Sequence, residues 1–140
     1  MAPHDDALSA VGTRVTVMAD GPFAICRLDP QAPLPSALTG TQGFASMTRT
    51  PDELSIICRE SLVPPEVQVE RGFRLLKVAG PLPFDAIGII ARLSSVLAEA
   101  QVSLIPVGTF DTDYLLVKEE DFGRAAEALR RAGHSVAPVA

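Results

Sequence analysis

The sequence predicts an α+β fold of two small lobes: a β-α-β-β-α-β unit in the second half and a degenerate, β-rich version of it in the first. Three observations carry this. Two stretches of the second half repeat apolar residues at helical spacing. Short β-rich runs flank each of them. The first half has comparable strand-like runs, but a Pro- and Gly-rich segment occupies the place of a long helix.

In the second half, residues 73–79 (FRLLKVA) form a strand-length run between Gly72 and Gly80. Asp85 is placed to cap a helix or stand in its first turn. Ile90, Leu93, Leu97 and Ala100 then share one helical face, predicting a helix near 87–100. Residues 102–109 and 114–118 read as a hairpin around the turn-like FDTD. Phe122, Ala125, Ala126 and Leu129 mark a second helix near 121–132. Gly133 follows Arg130 and Arg131, as a left-handed cap and bases matched to the helix dipole require. Residues 134–139 give a last strand.

The first half reads as strands at 14–19 and 23–28 around Gly21-Pro22, and at 44–49 and 54–59 around Thr50-Pro51-Asp52-Glu53. Between the pairs, DPQAPLPSALTGTQG leaves room for at most one short helix. The prolines and charges of SLVPPEVQVERG separate the halves, so the expected lobes are 13–66 and 67–140.

Seventeen acids against twelve bases give a net charge of −5, which argues against nucleic acid and against an anionic membrane surface. No apolar run reaches the length of a membrane span, and the first residues lack the pattern of a signal peptide, so the expected location is the cytoplasm. Cys26 and Cys58 fit neither a disulfide framework nor a metal motif and read as buried free thiols.

Neither His4 nor His134 has a nucleophile or carboxylate arranged around it in sequence, and no hydrolase, metalloprotease or phosphate-loop motif occurs. The expectation is a chain without catalytic residues, metal or cofactor. Two segments stand out. Gly88 near a helix start allows a close approach, either to a ligand carboxylate at exposed N–H groups or simply for helix–sheet packing. In residues 108–113, two Asp flank Thr112; they serve either turn chemistry or an ammonium group.

At these segments the chain resembles the CASTOR-type ACT domains of amino-acid sensors. The marks are Phe84 to Ala91 (FDAIGIIA), the Leu97, Ala98 and Ala100 set, Thr109 to Asp113 (TFDTD) and Leu116 to Asp121 (LVKEED). In the first half, SMTRTPDELSIIC is similar to the family's N-terminal lobe. The resemblance covers roughly residues 13–138. It implies two ACT lobes, no catalysis, and a free amino acid held at an ACT–ACT interface. A homodimer would rebuild that interface, and a protein partner would read it.

The positions it implicates are Pro83, Phe84, Ala86, Ile87 and Gly88 by the helix start, Thr109, Phe110 and Asp113 on the hairpin, and Ser103 and Leu104 from the partner lobe. Arginine-sensing members carry an acid where this chain has Ala86, so the implied ligand is smaller or neutral. The competing expectations are a structural interaction module whose ligand site has decayed and, disfavoured by charge, an RNA-binding ferredoxin-like domain.

Overall fold

The computed structural model describes residues 14–79 and 87–138. Along the chain run β1 (Thr16–Leu28), α1 (Ser36–Thr39), β2 (Ser46–Arg49), β3 (Leu54–Arg59), a 3-10 turn (Glu60–Leu62) and β4 (Gln68–Val78). They are followed by α2 (Ile89–Glu99), β5 (Ile105–Gly108), β6 (Asp113–Lys118), α3 (Glu119–Arg131) and β7 (Ser135–Pro138). Two compact units emerge. One joins the residues up to Asp20 to those from Arg74 onward; the other is Gly21–Phe73. The lobes drawn from the sequence are consecutive stretches, whereas here the start of β1 joins the later half.

The reason is strand pairing. Thr16–Ala19 runs parallel to Ser135–Pro138 of β7, while the Ala79 N–H donates to the Thr16 carbonyl at 2.8 Å. In the first unit β1 therefore stands between β7 and β4, with β6 and then β5 beyond β4. A plain split β-α-β would put the last strand directly beside β4; an earlier strand takes that place. The two runs expected around Gly21-Pro22 are one strand that changes partner there, pairing with β7 before it and with β3 from Phe23 on.

α2 and α3 cover this unit's sheet. Leu93 and Leu97 of α2 and Ala125 and Leu129 of α3 are buried with Val17, Ala19, Leu76, Val78, Leu115 and Val117. This is the apolar face that the helical spacing predicts. Both helices end alike. After α3, Gly133 at φ 101° donates to Arg130 O and His134 N–H to Leu129 O, each at 3.0 Å. After α2, Gln101 at φ 62° donates to Ala98 O at 3.0 Å and Val102 N–H to Leu97 O at 2.9 Å. Arg124 adds bonds of 2.9 Å to the Ala100 and Gln101 carbonyls, so α3 closes the end of α2. Arg74 of β4 lies 4.0 Å from the Phe122 ring centroid and 3.2 Å from Glu119 Oε2, which fixes the start of α3.

In Gly21–Phe73, β3 lies between β2 and the later part of β1, antiparallel to both. The expected turn at residues 50–53 forms: Thr50 Oγ1 accepts from Asp52 N–H at 3.1 Å and Glu53 N–H at 3.2 Å. Cys26, Leu38, Leu54, Ile56 and Cys58 form a small core covered by Ala32, Leu62, Val63 and Val67. α1 is the one short helix that the Pro-rich stretch allows, and it has four residues. Gly72, read from the sequence as a strand boundary, lies inside β4 at φ 82°, and its N–H donates to Glu60 Oε2 at 2.6 Å.

Candidate ligand-binding site

β5 and β6 form the hairpin that carries half of the expected site, in the register Ile105↔Leu116 to Gly108↔Asp113. Its turn is closed on itself. Thr109 N–H and Oγ1 both donate to Thr112 O, at 2.9 and 2.8 Å, while Thr112 N–H donates to Thr109 Oγ1 at 3.2 Å. Thr109 is thus occupied in shaping the turn. Thr112, 4% exposed, donates its hydroxyl to Val78 O at 2.6 Å and ties the turn to the last residue of β4. Sequence reasoning saw Thr112 only as a spacer between two Asp. Its burial comes from a tertiary contact that no local pattern announces.

Asp113 opens β6 and is half-buried. Its Oδ1 lies 3.6 Å from where a Cβ on Gly108 would stand, so the missing side chain at Gly108 leaves one flank of the carboxylate clear. Asp111 is exposed, as expected, but it lies in the bend of the turn rather than in an extended segment, so its position in the turn and not alternation turns it outward. Phe110 at the tip is 78% exposed. Ser103 is exposed, while Leu104 is half-buried against the aliphatic core.

On the helix side, Pro83, Phe84, Asp85 and Ala86 lie outside the described residues. Ile87 is 68% exposed. α2 starts later than the spacing predicts, at Ile89, because its N-cap is Gly88 at φ 85°, a conformation that glycine adopts without strain. Among the described residues no side chain caps this end, and the first turn holds no acid. Its leading N–H groups are those of a helix terminus, with partial positive charge. The expected role of Asp85 as a cap or first-turn acid falls on a residue outside the described ones.

The remaining chemistry-bearing side chains are placed structurally. Burial pushes the Cys26 thiol up against the pull of Arg71, and burial with the neighbouring Cys26 pushes Cys58 up to about 11. Both thiols are buried and protonated at neutral pH, hence poor nucleophiles and poor ligands. His134 is buried and accepts the Val15 N–H on Nδ1 at 3.2 Å. No group of three or more His, Cys, Asp or Glu gathers among the described residues. No described helix is long and apolar enough to cross a membrane.

Known proteins match the chain in two blocks. A family model described as an ACT domain matches residues 68–131, and a model of an N-terminal domain matches residues 21–66. Over 60 residues the chain is 38% identical to the human protein named cytosolic arginine sensor for mTORC1 subunit 1. That match takes in 42% of this chain and 18% of the relative, so the chain spans under a fifth of the relative's length. A crystal structure of an Agrobacterium tumefaciens protein is 37% identical, with a TM-score of 0.83 over 91% of this chain and 95% of that one. The regulatory subunit of aspartate kinase from Thermus thermophilus has a TM-score of 0.63 at 13% identity, over 86% and 98% of the two chains. That last likeness is one of fold.

Proposed function

Because the chain belongs to the ACT-domain family and is CASTOR-like, we propose that it is a non-catalytic regulatory module that binds a free amino acid. The observation that carries this reading is the start of α2, where among the described residues no side chain caps the helix and no acid stands in the first turn, in the same matched segment as the half-buried Asp113 carboxylate. N–H groups around Gly88 would take the ligand's carboxylate and Asp113 its ammonium. Pro83, Phe84, Ala86, Ile87, Thr109 and Phe110 would complete the walls.

The site would close only in a homodimer, in which residues 102–107, with Ser103 and Leu104, approach the same stretch of a second copy. Ile87 and Phe110, the two most exposed large apolar side chains recorded, fit this reading because a partner would cover them. Ala86 offers no carboxylate for a guanidinium, so the ligand is a smaller or neutral amino acid rather than arginine. Binding would act by shifting populations toward the dimer or a surface that a partner protein reads, in the cytoplasm.

A thermal-shift screen against the twenty amino acids identifies the ligand, since binding to the native state raises its stability. Titration of Asp113→Ala with that ligand should then show a loss of about 2–5 kcal/mol, or 30-fold and more in affinity, with the fold intact. Asp111→Ala should bind as wild type. Equal affinity in all three proteins would reduce Asp113 to a turn residue. The same exposed Ile87 and Phe110 favour a second reading, an interaction module with a decayed ligand site. A dimer that no amino acid stabilises would establish it.

A further inference from the structure

Thr112 and His134 are the buried polar side chains recorded, and the proposed ligand site uses neither. His134 stands at a junction. Its own N–H closes α3 on Leu129 O at 3.0 Å, and the next residue, Ser135, donates to Val15 O at 3.0 Å. Its ring Nδ1 accepts the Val15 N–H at 3.2 Å. Both backbone groups of Val15 are therefore held by residues 134 and 135, immediately before Thr16 enters its ladder with β7. An Nδ1 that accepts a hydrogen bond carries no proton, so the ring is neutral with its proton on Nε2.

We infer that the Val15–His134 contact is an acid-released latch on the first strand: protonation of the ring undoes the pairing of Thr16–Ala19 with β7. Adding a proton to Nδ1 sets two N–H groups against each other at 3.2 Å and buries a new cation. The surrounding charges oppose that cation. Arg92 of α2 acts on the ring, and Nε of Arg14, two residues before β1, lies 3.8 Å from the position of a Cβ on Gly133. Arg130 of α3 is turned to Val136 O at 3.3 Å.

Burial first, and Arg92 second, hold the ring below its ordinary pKa of 6.5. A released ring regains that ordinary value and takes up its proton first. The latched form is thus fully favoured above about pH 6.5 and loses ground as pH falls below it.

Amide hydrogen exchange, corrected for intrinsic rates, tests this. Protection at Val15–Ala19 and in β7 should hold steady above about pH 6.5. It should fall toward pH 5, by at most about thirtyfold, the limit set by the released ring's ordinary pKa. Amides of β5 and β6 should keep their protection. His134→Asn puts an oxygen acceptor near the place of Nδ1 and cannot titrate, so its protection should be flat with pH. A variant that loses protection with acid as wild type does, or a wild type whose first strand is insensitive to pH, overturns the latch. Should the Asn variant not fold, His4→Gln leaves His134 as the one imidazole. Ring 15N shifts titrating below 6.5 together with the Val15 amide support the latch, and titration at or above 6.5 overturns it.

Discussion

In the unit that carries α2 and α3, helices close over the sheet, Leu93 and Leu97 from one and Ala125 and Leu129 from the other. In Gly21–Phe73 the four-residue α1 supplies one buried side chain, Leu38, and irregular chain at Ala32, Leu62, Val63 and Val67 supplies the rest of the cover. Both arrangements dry one face of a set of strands. They differ in what holds the cover in place. A helix presents its apolar stripe from a rigid frame of hydrogen bonds. An irregular cover must be held by its own restricted backbone, and prolines at 30, 33 and 35 reduce the freedom it loses on folding. A cover of the second kind should yield more readily when a side chain is removed.

The matched pair Leu97→Ala and Leu38→Ala tests that difference most strongly. Leu97 is fully buried under an eleven-residue helix, so its truncation leaves a cavity that cannot collapse and should cost about 3–5 kcal/mol in urea denaturation. Leu38 is nearly as buried, but its neighbours can close in, and about 2–3 kcal/mol is expected. Equal losses would mean that the irregular cover is packed as rigidly as the helical one.

Thr112→Val comes next. It keeps the shape but removes the 2.6 Å bond to Val78 O, and should cost about 1–3 kcal/mol. Exchange of the amides of residues 109–113 should rise while those of β2 and β3 in the other unit stay unchanged.

The smallest effect is a gain. Gln101 sits at φ 62° in the position that Gly133 fills after α3. Gln101→Gly should relieve that strain and stabilise by about 0.5–1 kcal/mol, read as a rise in melting temperature. No change would show that contacts of the Gln side chain offset the backbone cost.

How far the sequence discloses the molecule follows the same division. Where structure is set by local spacing, it was legible: the apolar faces of α2 and α3, the Gly133 cap and the Thr50 turn all appear as read. Where a partner far along the chain decides, it was not. The alternation in residues 14–19 announces a strand, but nothing in it says that its neighbour is residues 135–138. The same holds for His134, whose burial depends on Val15. Of the candidate site, the closed turn, half-buried Asp113 and Gly88 at a helix start were readable as residue types in a pattern. The exposure of Phe110 and Ile87 was not, because periodicity reports what an element hides and is silent about what a loop leaves bare.

The position of β1 between β7 and β4 orders events in time. Gly21–Phe73 is one contiguous stretch, so its strands can pair once those residues have left the ribosome. The first strand of the other unit must wait. Val15 and His134 are separated by 119 residues, and their meeting closes a loop that takes in most of the chain. Contacts of such separation slow folding far more than they weaken the finished state. During synthesis Thr16–Ala19 is an unpaired apolar edge until its neighbours, Ser135–Pro138 last among them, emerge. Cutting the gene between residues 66 and 67 would leave that edge on one fragment and its partners on the other. The two halves would have to be made together, or mixed, to recover the native sheet.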